Sequence, residues 1–76
     1  MQELITFIAT SLVDNPDDVQ VTVTEEDDTI LVDLAVSKDD LGKVIGKQGR
    51  TARAMRSLLS AVAGKEDKMS RLNILE

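Results

Sequence analysis

Residues 42–53 read Gly-Lys-Val-Ile-Gly-Lys-Gln-Gly-Arg-Thr-Ala-Arg, and this stretch is the most informative part of the sequence about fold and function. It predicts two helices joined by a tight turn that is bounded by a glycine on each side. Between Lys43 and Arg56 there are five basic side chains and no acid, whereas residues 1–42 carry one lysine and eleven acids. A chain of net charge −5 therefore concentrates positive charge in one compact segment.

The composition is that of a small globular domain with an aliphatic core. Among the 76 residues, Phe7 is the single aromatic side chain, and there is no cysteine and no histidine. Disulfides, thiolate chemistry and histidine bases or metal ligands are thereby excluded. No apolar run reaches the roughly 20 residues of a membrane span, and no basic leader precedes an apolar stretch. We expect one cytoplasmic domain, residues 1–76, without metal or cofactor.

The first half of the chain predicts a helix followed by a β-hairpin. Apolar residues recur at helical spacing over residues 2–13, and Pro16 ends this helix because it disfavours helical geometry in the residue before it. Apolar and polar residues then alternate over residues 19–24 and 29–36, which is typical of half-buried strands. The acidic run between them, residues 25–28, is expected to form a solvated turn.

The second half predicts two helices and a third strand. Ser37 is placed to cap a short helix that ends at Gly46. A longer helix follows over residues 51–63, with Gly64 as a left-handed cap, and residues 69–75 form the last strand. The expected inner face of the longer helix comprises Met55, Leu58, Leu59 and Val62.

These elements have the order α-β-β-α-α-β and predict an α+β fold. The hairpin pairs the first two strands antiparallel, while the helical connection to the third strand calls for parallel pairing with a right-handed crossover. The sheet is then three-stranded and mixed. All three helices must lie on one of its faces to bury the valine, isoleucine and leucine side chains.

The Gly-x-x-Gly turn at residues 46–49 has a clear physical use, because glycine adopts positive φ and lets the backbone approach a ligand closely. Lys47 lies at its tip. Arg50 and Arg53 fall in the first turn of the next helix, where positive charge opposes the helix dipole, and this placement favours an external anion. On the residue pattern alone, a chance pair of glycines and a merely solvated basic face remain the alternatives.

Residues 44–50, Val-Ile-Gly-Lys-Gln-Gly-Arg, resemble the signature loop of KH domains, in which a GXXG segment holds about four nucleotides. The element order is similar to the type II arrangement, and nearly the whole chain resembles small bacterial proteins that consist of a single KH domain. The resemblance implies that the chain binds single-stranded RNA. The RNA-binding residues it implies are Lys43, Val44, Ile45, Gly46, Lys47, Gln48, Gly49, Arg50, Arg53 and Asn73.

The resemblance also implies roles for these side chains. Lys47 and Gln48 are expected to face phosphate, and Asn73 on the edge strand is expected to meet base edges in an apolar groove. The additional positive charge is expected from Lys43, Arg50 and Arg53. The candidates for the groove wall are Val44, Ile45, Ala52 and Met55, of which Ile45 and Met55 are favoured as core residues instead.

Pairing with a second module is expected, since weak single-module binders gain affinity from linkage. The resemblance implies a homodimer, or a heterodimer with a larger KH-containing partner, in a post-transcriptional regulator or RNA chaperone. The expected contact surface is the second half of the long helix, around Leu58, Leu59 and Val62.

An enzyme and a protein-interaction module are the competing interpretations. The acids at residues 17–18 and 25–28 lie in exposed runs without histidine or cysteine, and neither a calcium loop nor a nucleotide-binding loop is present, so we expect no catalytic activity. A module whose basic helices serve a protein partner stays open. So does binding of single-stranded DNA.

Overall fold

The computed structural model describes residues 1–75, and its elements follow the order expected from the sequence. The helices and strands are α1 (Gln2–Leu12), β1 (Gln20–Glu26), β2 (Thr29–Ala35), α2 (Leu41–Ile45), α3 (Arg50–Gly64) and β3 (Met69–Leu75). Short 3-10 turns occupy Pro16–Asp18, Lys38–Asp40 and Lys47–Gly49. The α-β-β-α-α-β order is confirmed.

The sheet is three-stranded and mixed, with β2 in the centre. β1 pairs with β2 antiparallel, and β3 pairs with β2 parallel, so that Val32 lies opposite Leu72. α2 and α3 together form the connection between the two parallel strands, and α3 packs against β3. Among residues 1–75, β3 is an edge strand of the sheet.

All three helices pack on the same face of the sheet, as expected. Ile30, Val32 and Leu34 alternate along β2 and are buried on that face. The helices complete one continuous core with the side chains of Ile5, Ala9, Val44, Met55, Leu59 and Ala63. Packing of aliphatic groups against the central strand therefore fixes where α2 and α3 lie.

The hairpin is tighter than the sequence suggested, and the expectation of a four-residue acidic turn is wrong. Glu25 and Glu26 continue β1 and pair with Ile30 and Thr29. Only Asp27 and Asp28 form the turn, with φ of 49° and 62°. Two consecutive positive φ angles are typical of the two-residue turns whose twist matches a hairpin, and aspartate tolerates them.

Three further expectations about the helices are wrong. Leu58 does not belong to the inner face of α3 but is 46% exposed, because Ala52 and Ala63 take the buried positions beside Met55 and Leu59. Gly64 remains helical, and the left-handed residue of that connection is Asp67, with φ of 58°. Ser37 makes no capping hydrogen bond through its side chain.

Within residues 1–75, no helix combines the length and the apolar character needed to cross a membrane.

Candidate nucleic-acid interface

The turn between α2 and α3 uses its glycines for two different reasons. Gly46 has φ of 79°, and a Cβ atom there would lie 2.3 Å from Thr51 Oγ1 and 2.8 Å from the Thr51 backbone nitrogen. Gly49 has φ of 73° but faces open space. Gln48 also lies in the left-handed region, at φ 59° and ψ 26°. The backbone is therefore held in an uncommon conformation, which the Gly49 N–H closes by donating to the Gly46 carbonyl at 3.0 Å.

Gln48 organises the two arginines that follow the turn. Arg53 Nη2 donates to the Gln48 backbone carbonyl at 2.7 Å, and Arg50 Nη2 donates to Gln48 Oε1 at 3.3 Å. Both acceptors are neutral, so these hydrogen bonds fix the guanidinium groups without cancelling their charge. Lys47 is exposed at the tip and forms no ion pair with any residue in the described part of the chain. Three uncompensated cations thus surround one turn.

Lys43 differs from these cations because its charge is already matched. Its Nζ donates to Asp14 Oδ2 and lies 3.7 Å from Asp40 Oδ1. The hydrogen bond to Asp14 raises the pKa of Lys43, and partial burial only partly opposes the effect. The positive charge of Lys43 is thus shared with two carboxylates, and its contact with RNA stays a prediction.

The apolar residues near the turn divide differently from the expected pattern. Val44, Ala52 and Met55 are buried in the core and present no surface to a ligand, so Val44 supports α2 and does not line a groove. Ile45, which the sequence favours as a core residue, is instead 40% exposed directly before Gly46. Ile45 is therefore the apolar surface that the turn offers to a base or a partner side chain.

An open cleft of about 420 Å³ follows the edge of the sheet between α3 and β3. Its lining residues are Arg56, Ser60, Ser70, Arg71, Leu72 and Asn73. Arg56 Nη2 reaches the Leu72 carbonyl at 3.4 Å and so links the two walls. Asn73 contributes to the rim of the cleft, but its Nδ2 donates to Asp33 Oδ1 at 3.1 Å on the sheet face opposite the buried Leu72. The expected apolar groove is wrong, since Leu72 is the one apolar residue among those of residues 1–75 that line the cleft, and contact of Asn73 with base edges stays a prediction.

The site predicted from the sequence lacks Arg56, Ser60 and Arg71. The spacing of each from a predicted site residue could have indicated it. Arg56 and Ser60 continue from Arg53 at helical spacing, and Arg71 precedes Asn73 by two residues and so shares its side of the strand. The cleft thus extends the positive surface from the turn along the edge strand.

A glycine-bounded turn between two helices, beside a parallel pair of strands in the order α-β-β-α-α-β, defines a KH domain of the type II arrangement. The chain belongs to the KhpA/KhpB KH-domain family, since the family model "KhpA/KhpB, KH domain" matches residues 2–74. This family consists of RNA-binding KH proteins and not of enzymes, which confirms the expectation that the chain is no enzyme.

Curated relatives are similar over nearly their whole length. The RNA-binding protein KhpA of Listeria monocytogenes is 53% identical over 76 residues, which cover 100% of both chains. The KhpA proteins of Halalkalibacterium halodurans and Borreliella burgdorferi are each 47% identical, the first over 100% of both chains. The second match covers 97% of this chain and 90% of the relative. No solved structure matches the chain.

Proposed function

We propose that the chain binds single-stranded RNA and that the turn Gly46–Gly49 holds the RNA backbone. The observation that carries the proposal is the set of uncompensated cations, Lys47, Arg50 and Arg53, around a turn whose backbone leaves room for close approach. The relatives named RNA-binding protein KhpA support the same ligand.

The bases are proposed to leave the turn over Ile45 and to follow the cleft along β3. Arg56 and Arg71 would meet further phosphates there, while Asn73 presents hydrogen-bonding groups to base edges. The single aromatic residue, Phe7, lies on α1, so bases cannot stack on aromatic rings in this cleft. Recognition must then depend on hydrogen bonds and aliphatic contacts, and we expect weak binding.

The protein is further proposed to act as a homodimer or with the larger KH protein KhpB (also called Jag or EloR), which the family description names together with KhpA. Leu58 and the half-buried Val62 on α3 can supply the contact surface. Leu59, which the sequence placed in the same surface, is fully buried and is excluded from it. Such pairing suits a post-transcriptional regulator or RNA chaperone in the cytoplasm.

The RNA proposal predicts that a Lys47→Asp, Gln48→Asp double variant stays folded and loses RNA binding. A charge-assisted contact contributes roughly 1.5–3 kcal/mol, and about 1.4 kcal/mol corresponds to tenfold, so we expect affinity to fall by more than about tenfold. Fluorescence anisotropy with short labelled single-stranded RNAs measures this at two salt concentrations. Wild-type affinity should fall as salt rises, with a log–log slope of about −0.7 for each phosphate contact.

The matched control is a Lys65→Asp, Thr24→Glu variant, which changes net charge by the same amount at two exposed positions outside the candidate interface. It should bind RNA almost as well as the wild type, because distant charges are screened at physiological salt. Equal loss in both variants would mean that total charge, and not the turn, governs binding. Failure of the wild type to bind any single-stranded RNA would favour the protein-interaction module instead.

A further inference from the structure

Asp40 is the one fully buried charged or polar residue found in residues 1–75, at 1% exposure. It directly precedes α2, the five-residue helix that leads into Gly46. A carboxylate is among the most expensive groups to bury, and its burial is tolerated only when its oxygens are satisfied. Neither the core nor the proposed RNA contacts account for this residue.

The Asp40 carboxylate joins α2 to the segment that follows α1. Its Oδ1 accepts from the Asp14 N–H at 3.2 Å, and its Oδ2 accepts from the N–H and the side-chain Nδ2 of Asn15, both at 3.0 Å. Lys43 Nζ lies 3.7 Å from Oδ1. Burial by itself raises the pKa of Asp40, but these hydrogen bonds and the charge of Lys43 outweigh it and hold the pKa below its ordinary value.

The group at this position must be acceptor-only, because every polar partner that the structure gives it is a donor. An asparagine side chain would turn an NH₂ group toward an N–H or an ammonium, so Asp40→Asn removes part of the contact although it keeps the shape. A glutamate side chain would add a methylene group to a fully buried position. The contact is therefore specific for aspartate.

Asp40 is close in sequence to the turn, with only α2 between them. Val44 is the fully buried anchor of α2, and the Gly46 N–H closes the helix by donating to the Gly42 carbonyl at 2.9 Å. A helix this short has little stability of its own and depends on contacts at its ends. α2 therefore connects Asp40 to Gly46 over less than two helical turns.

We propose that Asp40 is a positioning residue for the RNA-binding turn. It acts through α2 without touching RNA, by fixing the start of that helix to Asp14 and Asn15. The same segment holds the Lys43 ammonium through Asp14 and Asp40. This inference rests on the proposed function, in which the turn Gly46–Gly49 is the RNA site.

The test compares three variants with the wild type under conditions where all are folded. Asp40→Asn disrupts the contact, and Asn15→Ala removes only the Nδ2 donor. Ile5→Val or Ile5→Ala, whichever matches the stability loss of Asp40→Asn, perturbs the core from α1. The readouts are RNA affinity by anisotropy and amide hydrogen exchange over residues 41–49.

We expect Asp40→Asn to weaken RNA binding about fivefold, which corresponds to a turn that keeps its binding geometry about one fifth of the time. Exchange of the Gly46 and Gly49 amides should quicken in the same variant. Asn15→Ala should show smaller changes of RNA affinity and amide exchange in the same direction. It replaces Asp40→Asn in the test if that variant fails to fold. The Ile5 variant should bind RNA like the wild type.

The inference is overturned if Asp40→Asn binds RNA with unchanged affinity, or if the stability-matched Ile5 variant loses as much. Unchanged exchange at Gly46 and Gly49 would overturn it as well. The exchange measurement needs no RNA, so it decides the positioning role even if the wild type fails to bind RNA. A wild type that does not bind RNA would contradict the proposed function without contradicting the positioning role.

Discussion

Gly46→Ala is expected to destabilise the fold and abolish RNA binding together. Gly46 has φ of 79° and ψ of 166°, a combination found almost only in glycine, and holding another residue there costs roughly 1–3 kcal/mol. The new methyl group would also lie 2.3 Å from Thr51 Oγ1 and 2.8 Å from the Thr51 backbone nitrogen, and the backbone atom cannot rotate away. We expect a total loss above about 3 kcal/mol, a large part of the roughly 5–15 kcal/mol that stabilises a domain. Denaturant unfolding measures the loss.

Two neighbouring glycines serve as controls for this effect. Gly49→Ala adds a methyl group in open space and should cost only the φ penalty, about 1–2 kcal/mol. Gly42→Ala lies within α2, also in open space, and should be neutral or stabilising by up to about 1 kcal/mol. If Gly46→Ala proved no worse than Gly49→Ala, the close contact with Thr51 would not constrain the turn.

Leu59→Ala is the second change with a large expected effect. Leu59 is fully buried between α3 and the sheet, and removing a buried leucine side chain costs about 2–5 kcal/mol. Leu58→Ala, one residue earlier, removes the same atoms from a side chain that is 46% exposed and should cost less than about 1 kcal/mol. Urea denaturation of both variants gives the difference directly.

Substitutions at Leu58 and Leu59 also distinguish an effect on folding from an effect on self-association. Leu58→Asp should leave the monomer folded and reduce dimer formation in analytical ultracentrifugation, because a charge in an apolar contact must be desolvated. Equal destabilisation by Leu58→Ala and Leu59→Ala would show that the face of α3 is assigned wrongly. A folded Leu58→Asp variant with unchanged association would place the dimer contact elsewhere.

The element order and sheet topology could be predicted because local patterns determine them. Alternation with period two along residues 29–36 marks the buried face of β2, and the glycines of the turn mark the break between α2 and α3. The short hairpin and the helical crossover then leave one arrangement of three strands. The KH resemblance pointed to the same family that the comparisons show.

The errors arise where contacts between distant residues override local patterns. Asp14 is 29 residues from Lys43 and 26 from Asp40, so the contacts of both residues with Asp14 have no signal in the local sequence. Only the i, i+3 spacing of Asp40 and Lys43 is local. On α3, periodicity could not separate Leu58 from Leu59, because small alanines fill two of the buried positions. In the hairpin, the run of acids predicts one solvated loop, although β-pairing takes two of them into the strand.

Binding of RNA at the turn can be mapped most directly by titrating the ¹⁵N-labelled chain with a short single-stranded RNA and following its amide resonances. The proposed interface predicts the largest shifts at residues 45–53, smaller ones along β3 at residues 70–73, and almost none at the acidic hairpin. Shifts confined to the second half of α3 or to the hairpin, with residues 46–50 unmoved, would contradict RNA binding by the glycine turn.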